Sequence, residues 1–482
     1  MAAASALRLW ALDTQPGGLY PDEAAEAYDA HRLLHDPGFR PVFFQADAGR
    51  EALYGYLVAV AFRVGGESTS VLRGTSAVLG VLAVVALYLW LRRRGPAVAL
   101  GGAAWAAGSL WLVCISRDGM RNVLVPVVGA LALWGMSAWA EKPSRNRALL
   151  AGALMAVGLW TYQPLKLFPV LFVWWVLWLR WRDPRGWTAM RPLLGWVALA
   201  YVVAGAPMLY TAATDPGHYF GRAVAVTAGE QAASGPGRVD HTIRTLLMFP
   251  LTGDPNPRHN VNGLPLLGVP LTALAVAGGS AAWRRRNEPL DSLLLVSLPV
   301  FLVPPLVATA DAAPHFLRSL GLAAPLAGLV GMGAAETLRL ARGFIPAPSA
   351  VAGLALVLAG LAGGTGAAYF SRPVGARYDA YSFNLVQLAN TASAARGVVL
   401  LDDYRASDVR FLDWKAIESG RLVITDPSPA AAHPRPRCRG TVFALTREDI
   451  GQVYGGAVAS GATVVARDPG GKPSVWSSPC QR

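Results

Sequence analysis

Apolar stretches long enough to cross a membrane recur along this chain, near residues 70–91, 97–115, 122–139, 148–162, 164–181, 193–212, 265–283, 291–309, 316–335 and 349–370. About 20 helical residues cover the roughly 30 Å of bilayer hydrocarbon, and inside it only helices and closed barrels satisfy their own backbone. The sequence therefore predicts a mainly α fold, a polytopic transmembrane helical bundle. Residues 1–12 (MAAASALRLWAL) read as the last part of one more span, without the basic start or cleavage site of a signal peptide. That brings the expectation to about 10–11 spans and implies a chain that starts further upstream. Only 15% of residues are charged, against about 25% in soluble domains, which excludes an ordinary soluble enzyme.

Arginine fixes the expected orientation, because short loops rich in Lys and Arg stay cytoplasmic. Arg92 to Arg94, Lys142/Arg145/Arg147, Arg180/Arg182/Arg185/Arg191, Arg284 to Arg286 and Arg339/Arg342 all fall in alternate loops. Much of the net charge of +13 is then topological, so the high pI argues for a lipid bilayer as partner and against nucleic acid.

The other face receives the long connections, residues 13–69 and 213–264, the short loops near 116–121, 162–166 and 310–315, and everything after about 371. Long loops of this kind are commonly functional. The expected division is a transmembrane domain over 1–370, with extracytoplasmic helices in its first loop, and a small extracytoplasmic α/β domain over 371–482. Short β-type runs at 398–404, 421–426, 440–446 and 462–468 carry the second assignment. Cys438 and Cys480 both belong to this tail, where an oxidising compartment would permit a disulfide, although spacing alone does not bring two thiols together.

Ionisable groups at the membrane rim are the candidates for chemistry. Asp22 and Glu23 follow Pro21 as in the first turn of a helix, where carboxylates complement the dipole. Asp22 is equally suited to act as a general base beside a low-dielectric cavity, with Glu23 tuning its charge or helping to hold a divalent cation. In the same loop Arg50 has two readings, a surface bridge to Asp47 or Glu51, or a planar fork for a phosphate. Arg117, Arg121, Lys166, His315 and Arg318 lie where helices meet this outer face. Any one of the cations reads as an interfacial snorkeler. Several on the face where the positive-inside rule disfavours them suggest an anionic ligand arriving from the membrane, such as a lipid phosphate. Asp254, Arg258 and His259 sit in a turn-rich loop that serves either as a capped re-entry into the bilayer or as part of an acceptor site. His259 and Asp254 could also contact a metal, but two possible ligands make no defined coordination set.

In order and content these segments resemble the polytopic C-superfamily glycosyltransferases, in particular the branch of protein O-mannosyltransferases and aminoarabinose transferases (glycosyltransferase family 39-like). GLYPDEA (18–24), GREALYGYLVA (49–59), SRDGMRNVLVP (116–126), GLWTYQPLKLFP (158–169), GDPNPRHN (253–260) and HFLRSLGLAAP (315–325) carry the likeness. The resemblance implies a plasma-membrane enzyme that moves a sugar from a polyprenyl-phosphate donor to a protein, lipid or glycan acceptor on the extracytoplasmic face, with inversion. It implies Asp22, with Glu23, as the catalytic carboxylate site and Arg50, Arg117, Arg121, Lys166 and Arg318 as donor-phosphate ligands. Asp47, Asp254, Arg258, His259 and His315 remain for an acceptor or loop site. No cofactor follows beyond a divalent cation near Asp22 and Glu23. The chain departs from the usual pattern at Glu51-Ala52, where many relatives have prolines, and at Lys166, where an arginine is common. The alternative is a transporter or flippase of lipid-linked sugars, which needs the cations but no base.

Overall fold

The structure, a computed structural model, describes residues 1–44, 49–228, 237–308, 313–341, 343–344, 346–428 and 440–479. Asp47, Cys438 and Cys480 lie outside the described residues. The chain packs as two units, one of residues 1–10, 40–54 and 73–370, the other of 11–39, 55–72 and 371–482.

The first unit is a multi-span membrane bundle. Among the described residues seven helices are long and apolar enough to cross, or eight if Pro96–Gly108 and Leu110–Arg117, bent by 56° to each other, are taken as one broken span. Two other apolar stretches form shorter helices, 13 residues over Arg145–Val157 and 17 over Gly268–Arg284. The first is cut short where 3-10 turns over Gly158–Trp160 and Gln163–Leu167 replace α-helix around Pro164. Residues Ala2–Leu9 form one short helix. Fully buried Trp90, Trp105, Trp111, Trp139 and Trp175 fill the core. Three of them place the indole N–H on a partner: Trp175 donates to Ser292 Oγ at 2.9 Å, Trp111 to the Phe316 carbonyl at 3.1 Å and Trp90 to Ser137 Oγ at 3.2 Å.

Helix association in lipid relies on close packing at small residues. A Cβ on Gly278 would overlap the Leu329 carbonyl, and one on Gly333 the Leu274 carbonyl, so helix Gly268–Arg284 lies backbone to backbone against Ala323–Ala341. Gly278→Leu is expected to destabilise the bundle by at least the roughly 1–3 kcal/mol of ordinary overpacking. Thermal unfolding in detergent checks this, with Gly353→Leu as the control because nothing lies within 4 Å of that position.

Ion pairs gather the arginine-rich loops at one end of the bundle. Arg93 pairs with Glu141, Arg94 Nε lies 3.1 Å from Asp291 Oδ1, and Arg284 Nη2 2.9 Å from Glu336 Oε1. Helix Leu124–Glu141 runs from that end for about 27 Å. Arg121 sits at its other end.

The second unit holds a five-stranded mixed sheet of order β4-β3-β5-β7-β6, made of β3 (Gly397–Leu400), β4 (Leu422–Thr425), β5 (Thr441–Ala444), β6 (Thr463–Arg467) and β7 (Pro473–Pro479). β3 is parallel to β4 and β5, while β7 runs antiparallel to β5 and β6. Four strands fall on the β-type runs of the sequence. The fifth, PSVWSSP, is diluted by proline and serine and gives no such signal. Relative to a boundary near 370, the unit also takes in 11–39 and 55–72. Helix Pro21–His35 packs on Ala406–Leu412, and Phe62 stacks on Phe411 with ring centroids 5.8 Å apart.

Candidate active site

In the bundle unit, the two-residue strands β1 (Phe43–Phe44) and β2 (Arg50–Glu51) pair antiparallel. This short ribbon buries Glu51 completely. One carboxylate oxygen accepts from Arg121 Nε at 3.1 Å and the other lies 2.9 Å from Lys166 Nζ. Burial alone would push the Glu51 carboxyl up, but Lys166 and Arg121 outweigh it and hold it below the ordinary carboxylate range. The Lys166 ammonium also stands 3.9 Å over the Tyr219 ring, and Arg121 5.6 Å over that of Tyr162. Two of the cations singled out in the sequence are thus brought together, and the residue that joins them is the glutamate of the departing Glu51-Ala52 pair. The trio keeps one net positive charge. Arg50, 2% exposed, faces the Phe44 ring at 5.4 Å.

Arg117 is placed differently. It is fully buried and donates to the carbonyls of Leu7, Arg8 and Trp10 at 3.0, 3.0 and 2.7 Å, with its guanidinium 4.8 and 4.9 Å from the Tyr369 and Phe370 rings. That geometry clamps the N-terminal helix to the end of Ala347–Phe370.

A second cluster of the same unit joins the loops at 253–260 and 313–319. Buried Asp254 accepts from His259 Nδ1 at 3.0 Å, from the Phe316 amide at 2.7 Å and from the Asn256 amide at 2.8 Å. The His259 and His315 rings lie 5.1 Å apart. Burial lowers the basicity of both imidazoles; Arg258 and Arg318 oppose a further charge on each, and His259 and Arg222 also oppose one on His315. Neutral imidazoles are the metal-binding form, and the donor atoms of Asp254, His259 and His315 all fall within 4.8 Å of one another. These residues could hold a divalent cation, although the surrounding arginines oppose one. Arg318 donates to the Ala308 carbonyl at 3.0 Å.

In the second unit, Tyr20 caps the helix Pro21–His35, with Pro21 first and Asp22 and Glu23 in the opening turn. Glu23 is buried and accepts from the Tyr20 amide at 3.2 Å, so the helix-start reading of this motif is correct in the geometry. Asp22 is only partly buried and accepts from the Tyr404 hydroxyl at 3.0 Å. Burial and the Asp22 charge push the Tyr404 phenol up, so it stays a donor.

Sequence reasoning missed Tyr404 and Asp408. Asp408 is wholly buried, and among the described residues no side chain donates to its carboxylate. Burial pushes its carboxyl well above the ordinary range, and Glu23 and Asp22 add to this. A carboxyl held protonated in the fold stabilises most below its ordinary value, about 3.9. That contribution is lost as pH rises through the raised folded value. Thermal unfolding across pH is expected to show a smaller fall toward alkaline pH in Asp408→Asn than in wild type. Asp413, pushed to about 6 chiefly by burial, leaves a slope common to both proteins.

Residues 52–210 match the family model described as dolichyl-phosphate-mannose-protein mannosyltransferase. No curated protein matches the chain in sequence. Among solved structures, ArnT from Cupriavidus metallidurans bound to undecaprenyl phosphate is similar at a TM-score of 0.64 and 14% identity, over 100% of this chain and 97% of that one. Its apo form gives 0.57 and 14%, covering 96% and 94%. The archaeal oligosaccharyltransferase AglB from Archaeoglobus fulgidus, in complex with an inhibitory peptide and a dolichol-phosphate, gives 0.54 and 12%, covering 92% of this chain and 68% of that one. The mannosyltransferase family match thus spans residues 52–210, about a third of the chain, and the fold is like that of ArnT over the chain's whole length.

Proposed function

We propose that this protein is an inverting membrane glycosyltransferase that moves a sugar from a polyprenyl-phosphate donor to a protein, lipid or glycan acceptor on the extracytoplasmic side of the plasma membrane. The observation that carries the reading is the pairing of Arg121 and Lys166 on one buried carboxylate, at the end of the bundle away from the arginine-rich loops. If those loops are cytoplasmic, the paired cations face outward. A lipid phosphate would meet a preorganised positive site there, and such fixed charges are usually the largest catalytic contribution. Solved relatives bound to undecaprenyl phosphate or dolichol-phosphate support the donor class.

In this reaction an acceptor hydroxyl or amine attacks the anomeric carbon and its bond to the phosphate oxygen breaks on the opposite side. The acceptor proton passes to Asp22, with Glu23 beside it in the helix's first turn and the Tyr404 hydroxyl fixing one Asp22 oxygen. The polyprenyl phosphate leaves with an added negative charge, which Arg121 and Lys166 take up with Arg50 and Arg318. Asp254, Arg258, His259 and His315 remain assigned to the acceptor side, and Arg117 acts through the packing of the helices it clamps.

The test is a transfer assay in lipid vesicles with purified protein, radiolabelled polyprenyl-phosphate sugars and a membrane and protein acceptor fraction. Label appearing on an acceptor supports the enzyme. Donor crossing the bilayer with no labelled product, over a broad donor and acceptor panel, would establish the transporter instead.

A further inference from the structure

Two histidines of the helix Pro21–His35, one helical turn apart, converge on a single carboxylate from the turn before helix Thr69–Leu91. His31 Nδ1 lies 2.6 Å from Glu67 Oε2, and His35 Nε2 2.7 Å from Glu67 Oε1. The second nitrogen of His31 stands 3.5 Å from Glu418 Oε1. The Trp414 ring lies beside both imidazoles, at 4.6 Å from His31 and 5.4 Å from His35. All five residues belong to the second unit, and none has a role in the reaction proposed above.

We infer that His31, His35 and Glu67 form a binding site for a zinc-type divalent ion, in which His31 binds through Nδ1, His35 through Nε2 and Glu67 through its carboxylate.

Four features of the arrangement point to a metal ion. Histidines at i and i+4 on one helix face are the spacing that presents two imidazoles to one ion. The three donor atoms already lie within 4.8 Å of one another. A ligating histidine ordinarily gives its other N–H to a carboxylate, which fixes the tautomer, and Glu418 stands where His31 needs such a partner. His31 is nearly inaccessible while the His35 side chain is 47% exposed, so a hydrated ion has a way in and a position left for water. Nitrogen donors select a transition-type ion over calcium or magnesium. With bonds of about 2.0–2.2 Å, a tetrahedral ion sets neighbouring donors roughly 3.4 Å apart, so Glu67 would move outward by under about 1 Å. Its side chain is 18% exposed and follows Gly66 at φ +82°, which leaves room for that shift. The ion would tie the last turn of the helix that begins with Asp22 to the turn at Glu67.

The test uses the full-length protein in detergent, stripped of metal, dialysed against zinc and counted by mass spectrometry, with cobalt absorption reporting tetrahedral nitrogen and oxygen ligation. His35→Ala and Glu67→Gln are the variants, and their unfolding temperatures in chelator verify that each is folded. His259→Ala separates any metal held at Asp254, His259 and His315. Wild type is expected to hold one more zinc than His35→Ala or Glu67→Gln, which lose the cobalt bands of this site, while His259→Ala keeps them. Glu418→Gln should weaken zinc by at least about tenfold, the lower range for an outer partner of a ligand. Equal zinc in wild type, His35→Ala and Glu67→Gln, whether none or some, overturns the site.

Discussion

Asp22→Asn is expected to lower the rate of sugar transfer by about 10²–10⁴-fold, the range supplied by a positioned base, and to leave donor binding intact. The change is nearly isosteric, and the amide oxygen still accepts from the Tyr404 hydroxyl, which donates to Asp22 at 3.0 Å in the native site. On the proposed mechanism, what disappears is the ability to take a proton at the moment the acceptor attacks. The carboxylate also complements the start of its helix, so the substitution should cost about 0.3–1 kcal/mol of stability, too little to unfold the protein. Rates measured at saturating donor, beside donor binding by equilibrium dialysis, separate the two roles. Wild-type transfer by the variant would remove Asp22 from the chemistry, and continued movement of lipid-linked sugar without transfer would favour a transporter.

Glu51→Gln should destabilise the bundle by about 3–5 kcal/mol, because it removes the carboxylate from a buried ion cluster and leaves two cations facing each other. Arg121 and Lys166 are 8% and 12% exposed at the side chain, so solvent cannot take over that neutralisation. Pairing the change with Lys166→Met removes the repulsion and should recover part of the loss, which an unfolding double-mutant cycle reads as coupling. A loss under about 1 kcal/mol would mean that water reaches the trio as it reaches a surface pair. The same substitution should weaken donor binding, since the cations would no longer be held side by side.

The bundle was legible because membrane helices announce themselves in the composition of a single segment. Hydropathy does not register where helix gives way to tighter turns, so the stretch at 148–162 reads as a span although Gly158–Trp160 ends the α-helix early. It likewise reads 97–115 as one rod, which bends by 56° about Ser109. The acidic motif at 21–23 and the cations Arg121 and Lys166 stood out because charge is rare near a membrane. Their partners did not, since spacing carries no signal over long separations. Tyr404 lies 382 residues from Asp22, and Glu51 70 from Arg121. Arg117 looked like its neighbours in sequence, and only the carbonyls it meets give it a packing role.

The path of the chain between its two units has a consequence for how such a protein can change over time. It passes from one unit to the other five times, at 10/11, 39/40, 54/55, 72/73 and 370/371. A cut after Phe370 would strand the helix of Asp22 without Tyr404, and Phe62 without Phe411. The C-terminal sheet is therefore no cassette that recombination could exchange between proteins. Any change acquired there has to arise by substitution within an interwoven chain, alongside the first-loop segments with which it folds.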